Sequence, residues 1–140
     1  MGQPIETYRG VVYPFQCDHQ GHLTTMHYVG MFDVAFWHQV SAMGFTRAYL
    51  EERRRGFADV KDTLEYKAEV RVGGLVVIES GLLRIGGKSL TAIHTMRDAE
   101  TGQLAATSEK ITVYFDLEAR RAVALPDDRR DAMTAFLIGG

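Results

Sequence analysis

The sequence predicts an α+β domain in which an antiparallel sheet covers one long, largely apolar helix. Two observations lead to this prediction. A stretch after residue 24 carries apolar residues at helical spacing around much of its circumference, and after residue 56 the apolar period changes to two. The runs of period two are separated by short turns, so neighbouring runs are expected to pair antiparallel.

The first half of the chain supplies one strand and two helices. The predicted elements are a strand over Thr7–Phe15, a helix that starts at Thr24 or Thr25 and closes at Gly44, and a shorter helix over Arg47–Arg55 that ends at Gly56. Threonine hydroxyls suit N-cap positions, and glycine adopts the left-handed conformation that ends many helices. The long helix is apolar on too many faces to be exposed, so we expect it to be buried.

The second half of the chain supplies the sheet. The predicted elements are an alternating strand over Leu64–Val72, strands over Leu75–Ile85, Lys88–Arg97 and Gln103–Asp116, turns at Gly73-Gly74, Gly86-Gly87 and Asp98–Gly102, and a short helix after Pro126. A single sheet of five strands covers the helix on one side only. We therefore expect the sheet to curl around the helix and a second copy of the chain to complete the cover, most simply as an isologous dimer.

Composition narrows the class of protein. A chain of 140 residues with 46% apolar and 24% charged residues is expected to form one globular domain over residues 1–140. A formal net charge of −2 argues against a nucleic-acid partner, and no apolar run is long enough for a membrane span. The single cysteine, Cys17, and the lack of a secretory signal favour a cytoplasmic location.

The densest cluster of reactive side chains lies between the first strand and the long helix. It consists of Cys17, Asp18, His19, His22 and His27. Asp18 shortly precedes the first turn of the helix, whose free backbone N–H groups can bind an oxygen that gains negative charge. A carboxylate in that place can attack a carbonyl or activate water. The other interpretation is that Asp18 caps its own loop through an Asx-turn, and the sequence leaves both open.

Metal and thiol chemistry are weaker interpretations of this cluster. Its ligand spacing matches no standard zinc site, and there is no second cysteine, so we expect no metal. A reactive thiol needs an activating environment, and nothing in the sequence supplies one to Cys17.

Six further residues are candidates for substrate contact: Gly21, His22, Tyr28, Trp37, Lys88 and Ser89. Gly21 keeps the loop close to the helix end, and His22 either shapes that loop or touches substrate. Tyr28 and Trp37 are core aromatics or line a ligand cavity. Lys88 and Ser89 follow a Gly-Gly turn, where they can meet a phosphate or pantetheine group.

Four segments of the sequence occur in the order that is expected of a known family. They are Asp18-x-x-Gly21-His22-Leu23 with Tyr28 in the following helix, Tyr66-x-x-Glu69-Val70-x-x-Gly73, Gly87-Lys88-Ser89, and Asp116, Arg121 and Pro126 around the closing strand. Together they resemble hotdog-fold acyl-CoA thioesterases of the 4-hydroxybenzoyl-CoA thioesterase-like type. Many relatives carry Asn-Asn where this chain has Thr24-Thr25, which leaves a backbone amide in place and changes only the side chains.

The resemblance implies a hotdog fold, in which a long antiparallel sheet wraps around one central helix. It also implies a homodimer or homotetramer with active sites at the dimer interface. Asp18 would be the general base or nucleophile of thioester hydrolysis, and the backbone N–H near Thr25 would polarise the thioester carbonyl. The Gly-Asp-x-Asn-Pro stretch of hotdog dehydratases is absent, which favours hydrolysis over dehydration.

The resulting hypothesis is hydrolysis of an acyl-CoA or related thioester, with no metal and no organic cofactor. One alternative is a non-catalytic hotdog module that binds an acyl thioester or lipid in the same cavity. The other is an acyl-carrier-protein thioesterase, which differs only in its partner. Retention of Asp18 favours an enzyme over a binding module.

Overall fold

The structure, a computed structural model, describes residues 2–138 of the chain. Its strands are β1 (Ile5–Val11), β2 (Arg55–Tyr66), β3 (Leu75–Ile85), β4 (Ser89–Asp98), β5 (Leu104–Asp116) and β6 (Arg121–Ala122). Its helices are α1 (Thr25–Ala42), α2 (Arg47–Arg53) and α3 (Arg130–Thr134), with 3₁₀ turns at Pro14–Gln16 and Asp127–Arg129. Within residues 2–138, no helix combines the length and apolar content needed to cross a membrane.

One antiparallel sheet contains all the strands of the described chain. Its order is β1-β3-β4-β5-β2, and the short β6 pairs with β5. Phe36 of α1 packs edge-on against Phe57 of β2, at 5.7 Å between ring centroids, and against His94 of β4, at 6.3 Å. The helix thus contacts the middle and one edge of the sheet at once, because the sheet curls around it as predicted.

The predicted hairpin at Gly73-Gly74 is wrong. β2 begins at Arg55 and pairs with β5 as far as Tyr66, so its neighbour is β5 and not β3. Residues 67–74 leave the sheet, although they continue the alternating pattern of the sequence. An extended segment with one covered face produces the same alternation as a strand, and periodicity alone does not separate the two.

The boundaries of two other elements differ from the prediction. α2 ends at Arg53, and Arg54 takes the left-handed conformation with φ 55°. This conformation costs a non-glycine residue roughly 1–2 kcal/mol, which the ladder between β2 and β5 offsets because it begins at the next residue. The first strand ends at Val11, and Pro14 starts a 3₁₀ turn. α1 is confirmed, and Gly44 follows its C-cap with φ 94°.

α1 has one buried and one exposed face. The buried side chains are Tyr28, Met31, Phe32, Ala35, Phe36, Gln39 and Val40. Outside this set, Val29, Val34 and Trp37 of α1 are 39%, 43% and 44% exposed. The sheet of one subunit therefore leaves apolar side chains of the central helix uncovered.

A row of polar side chains crosses the sheet beneath α1. The hydroxyls of Thr7 and Ser80 lie 2.7 Å apart, and the Ser80 hydroxyl lies 2.5 Å from Nδ1 of His94. His94 is fully buried, and its Nε2 has no hydrogen-bond partner among residues 2–138. Burial, assisted by the Lys110 ammonium, lowers the pKa of His94 from 6.5 to about 3. His94 is therefore neutral in the folded protein at neutral pH.

Lys110 connects α1 to β2 beneath the helix. Its side chain is only 3% exposed, and Nζ lies 3.2 Å from Oδ2 of Asp59 and 3.8 Å from Oδ1 of Asp33. Nζ also lies 4.7 Å from the ring centroid of Phe36. Because a buried ammonium is costly without partners, the two carboxylates and the ring are what make this position tolerable.

Candidate active site

The loop before α1 is a tight turn closed by backbone hydrogen bonds. Cys17 and Leu23 form an isolated antiparallel bridge at its base, and the N–H of Asp18 donates to the carbonyl of His22 at 2.9 Å. Gly21 completes the turn with φ 77°, a conformation that glycine adopts without strain. The turn therefore fixes Asp18 opposite His22.

The Asp18 carboxylate is ordered by the same turn. Oδ1 accepts hydrogen bonds from the N–H of Gln20 at 2.8 Å and of His22 at 3.2 Å. These bonds, the one from His22 foremost, lower the pKa of Asp18. This is the Asx-turn that the sequence offered as an alternative, and it fixes an exposed carboxylate that is ionised at neutral pH. Among the described residues, none donates a hydrogen bond to Oδ2.

The first turn of α1 leaves backbone donors free. Thr24 is the N-cap as predicted, but its hydroxyl does not cap the helix and instead donates to the carbonyl of Gln16 at 3.3 Å. The N–H of His27 bonds to the Thr24 carbonyl at 3.0 Å. Within residues 2–138, the N–H groups of Thr25 and Met26 have no hydrogen-bond acceptor. Free amides at a helix N-terminus favour an oxygen with negative charge.

A cavity of about 400 Å³ opens at this end of α1. It is lined by His22, Thr25, Tyr28, Tyr66, Lys67, Ala68, Glu69 and Val70. One wall comes from the loop and first turn of the helix, and the other comes from the segment that leaves the sheet after β2. The free amide end of α1 and the turn that holds Asp18 therefore meet beside a cavity.

Backbone hydrogen bonds hold the second wall in place. The N–H of Leu23 donates to the carbonyl of Val70 at 2.8 Å, and the N–H of Val72 donates to the carbonyl of Gly21 at 3.1 Å. On the sheet side, the N–H of Lys67 donates to the carbonyl of Ala105 at 2.8 Å. The segment after β2 is thus held extended by its hydrogen bonds to the loop before α1, and this pairing forms the second wall of the cavity.

The lining combines two aromatic rings with charged groups. The rings of Tyr28 and Tyr66 lie 5.0 Å apart at an interplanar angle of 71°. Nε2 of His22 lies 3.4 Å from Oε2 of Glu69 and 3.0 Å from Nη1 of Arg71. Burial raises the pKa of Tyr28, so its hydroxyl is neutral at physiological pH.

The structure brings some of the predicted site residues together and separates others. His22, Thr25 and Tyr28 line the cavity, and Gly21 shapes the adjoining turn. Asp18 does not line this cavity, but its backbone N–H is hydrogen-bonded to the carbonyl of His22, which does line it.

Three predicted contact residues lie elsewhere in a single subunit. Trp37 lines a separate groove of about 440 Å³ beside α2. Lys88 and Ser89 lie at the turn between β3 and β4, where the backbone carbonyl of Lys88 accepts a hydrogen bond from the N–H of Tyr114. Tyr114 belongs to the hydrophobic cluster around the C-terminal half of α1, whereas Tyr28 belongs to the cluster at its N-terminal half.

Sequence reasoning missed the wall formed by residues 66–70. Tyr66 and Glu69 were part of the family resemblance, but the alternating pattern assigned both to the interior of a sheet strand. The glycines at residues 73 and 74 were interpreted as a hairpin turn, and they do not mark the point after Tyr66 at which the chain leaves the sheet. No group of three or more His, Cys, Asp or Glu side chains within residues 2–138 is arranged to hold a metal ion.

Residues 12–133 match the sequence pattern of the thioesterase-like superfamily. The chain belongs to this superfamily. The matched range contains the turn at Asp18, the whole of α1 and every residue that lines the cavity. The family resemblance inferred from the sequence is thereby confirmed.

Two curated relatives of this chain have names that include a substrate. The chain is 28% identical over 109 residues to an L-carnitine dehydrogenase/betainyl-CoA thioesterase of Agrobacterium fabrum, covering 78% of this chain and 22% of that protein. It is 25% identical over 122 residues to a betainyl-CoA thioesterase of Pseudomonas aeruginosa, covering 87% of this chain and 77% of that protein. The chain thus spans about a fifth of the length of the first relative.

Solved structures of other proteins share the fold of this chain. A protein from Staphylococcus aureus, solved in complex with CoA, superposes with a TM-score of 0.89 at 18% identity, covering 97% of this chain and 85% of that one. A 1,4-dihydroxy-2-naphthoyl-CoA thioesterase from Synechocystis superposes with a TM-score of 0.81 at 16% identity, covering 94% and 96%. The predicted hotdog fold is confirmed.

Proposed function

We propose that this protein hydrolyses an acyl-CoA thioester in the cavity at the N-terminal end of α1. The observation that carries the proposal is the uncapped first turn of α1, which opens beside a turn that fixes an ionised carboxylate. The N–H of Thr25 binds the thioester carbonyl oxygen as it becomes an oxyanion. The superfamily to which the chain belongs supports the same reaction class.

Asp18 promotes the hydrolysis in one of two ways, by activating water or by attacking the carbonyl carbon itself. As a general base it takes a proton from water, whose oxygen attacks the carbonyl, and collapse of the oxyanion expels the CoA thiolate. As a nucleophile it forms a mixed anhydride and releases the thiolate, and water then hydrolyses the anhydride. In both cases the C–S bond breaks, a C–O bond forms, and the products are a free acid and CoA.

The site is completed by a second copy of the chain in a homodimer or homotetramer. Two surfaces support this assembly: the apolar residues Val29, Val34 and Trp37 of α1, and the outer edge of β2, which within residues 2–138 pairs with β5 alone. Groups far from the cavity in one subunit, such as Lys88 and Ser89, meet CoA only if a neighbour supplies them. Light scattering is expected to give a dimer or tetramer, and a monomer at assay concentration would contradict this assembly.

The acyl group is of a size that fits the cavity with the thioester at its mouth. The two curated relatives are betainyl-CoA thioesterases by name, and a betainyl group carries a quaternary ammonium. We include acyl groups of this kind among the candidate substrates. An acyl carrier protein in place of CoA changes the partner and leaves the proposed chemistry the same.

Replacing Asp18 by Asn tests the proposed function. The carboxamide oxygen can still accept the backbone hydrogen bonds of the turn, but it neither attacks a carbonyl nor accepts a proton. We expect kcat for a responsive acyl-CoA to fall by at least about 100-fold. Thiol release measured with a disulfide reagent reports the rate.

Asp116 supplies a matched control for this variant. Its Oδ1 also accepts two backbone N–H groups of its own turn, from Glu118 at 2.9 Å and Ala119 at 3.1 Å. Asp116→Asn removes a charge from the same kind of turn outside the cavity and also weakens the contact of Oδ2 with Arg55 at 3.3 Å, so it is expected to leave turnover unchanged even if it lowers stability. Equal turnover in wild type and Asp18→Asn would eliminate the role of Asp18. Saturable binding of acyl-CoA without any hydrolysis by the wild type would instead favour the non-catalytic module.

A further inference from the structure

The two tyrosines of the cavity form a corner. Their rings lie 5.0 Å apart and are inclined at 71°, so one presents its edge to the face of the other. Tyr28 is buried, at 6% exposed, whereas Tyr66 is 49% exposed, and both line the cavity. Two rings that meet near a right angle form a corner in which a compact, rounded group can touch both.

One carboxylate belongs to the lining of the cavity. It is that of Glu69, whose side chain is 70% exposed and whose Oε2 lies 3.4 Å from Nε2 of His22. The one lysine of the lining, Lys67, has its ammonium 2.9 Å from Oε1 of Glu65, which offsets its charge. Arg71 does not line this cavity, but its Nη1 lies 4.0 Å from Oε2 of Glu69 and offsets part of that charge.

We propose that the cavity selects acyl groups that end in a quaternary ammonium, held by the rings of Tyr28 and Tyr66 and by the carboxylate of Glu69. Aromatic faces attract quaternary ammonium groups through the ring quadrupole, and such groups have no N–H that would require a hydrogen-bond acceptor. Thr25 lines the same cavity, which places the carbonyl end of a short acyl chain near the free amides. The inference rests on the proposed function, because that function places the thioester at the free amides of α1 and so sets the direction of the acyl chain in the cavity.

An isosteric pair of substrates isolates the charge. Betainyl-CoA and 3,3-dimethylbutyryl-CoA have the same shape, because a quaternary carbon in the second replaces the quaternary nitrogen of the first. The nitrogen also withdraws electrons and speeds hydrolysis by any catalyst. The informative quantity is therefore the change, between wild type and variant, in the ratio of kcat/KM for betainyl-CoA to kcat/KM for its neutral isostere.

Tyr66→Leu is expected to lower this ratio by about 5- to 30-fold, because it removes one aromatic face from the cation. Tyr66→Phe keeps the ring and is expected to retain most of the preference. Glu69→Gln is expected to lower the ratio by about 3- to 10-fold, as loss of one nearby charge does in a partly solvated site. Glu109→Gln removes an acid from an exposed position of β5 and is the control for a general change in charge.

Binding separates failure of this inference from failure of the proposed function. Calorimetry with the Asp18→Asn variant compares the affinities of the two CoA esters at strongly reduced turnover, and we expect tighter binding of betainyl-CoA by about 10-fold or more. Hydrolysis of both esters with a ratio that Tyr66→Leu and Glu69→Gln leave unchanged would overturn the cation site alone. Equal binding of the two esters would overturn it as well. Preferential binding of betainyl-CoA without hydrolysis by wild type would support the cation site and overturn the proposed function.

Discussion

Replacing Thr25 by proline is expected to lower kcat by about 100- to 1000-fold, because proline removes the backbone N–H that is proposed to bind the oxyanion. The fold is expected to survive this change. Thr25 is the first residue of α1, and helices accept proline at that position. The preceding residue, Thr24, has φ −81° and ψ 155°, the extended conformation that a following proline requires.

Thr25→Ala is the matched comparison for this prediction. It removes the hydroxyl and keeps the amide, so it is expected to lose much less activity than the proline variant. Circular dichroism and thermal unfolding would verify that both variants are folded. If alanine and proline caused the same loss, the side chain and not the amide would be responsible, and the oxyanion role of the amide would be contradicted.

The sequence predicted the position of this helix start more accurately than its chemistry. Two adjacent threonines marked the N-cap, and Thr24 occupies it. That its hydroxyl turns away to Gln16, and so leaves helix amides free, depends on how the loop folds back over the start of α1. A contact between residues eight apart in a non-periodic loop leaves no pattern in the sequence, so it could not be predicted.

The pairing of β2 shows a different limit of sequence reasoning. Periodicity predicted the strands β3, β4 and β5 closely, but it placed the strand before them at Leu64–Val72, whereas β2 runs over Arg55–Tyr66. It did not reveal that β2 stops pairing after Tyr66 and that the chain then runs along the loop at Gly21. Both arrangements satisfy the same alternation of covered and uncovered side chains. The second wall of the cavity was missed for this reason.

Acidification from pH 7 to pH 5 is expected to lower the free energy of unfolding by about 2 kcal/mol through His94 alone. The pKa of His94 is about 3 in the folded protein, against 6.5 for a histidine in the unfolded chain. Between these values the unfolded chain binds a proton that the folded chain does not, so stability falls as the pH decreases. The loss begins near pH 6.5 and grows by about 1.4 kcal/mol per pH unit until the folded protein also protonates.

Urea unfolding at several pH values measures this dependence. His94→Gln removes the titrating group from the same buried place, and it is expected to flatten the slope between pH 7 and pH 5 even if it lowers stability at every pH. The control is His38→Gln, which alters an exposed histidine and is expected to keep the wild-type slope. A slope that is the same in wild type and His94→Gln would show that another group causes the acid sensitivity.

The most direct test of the account is a crystal structure of Asp18→Asn with an acyl-CoA analogue in which a methylene group replaces the thioester sulfur. This ketone keeps the carbonyl and is not hydrolysed. The account predicts the carbonyl oxygen about 3 Å from the N–H of Thr25, with residue 18 beside the carbonyl carbon or a water positioned to attack it. A ligand whose carbonyl lies away from the N-terminal end of α1 would contradict it.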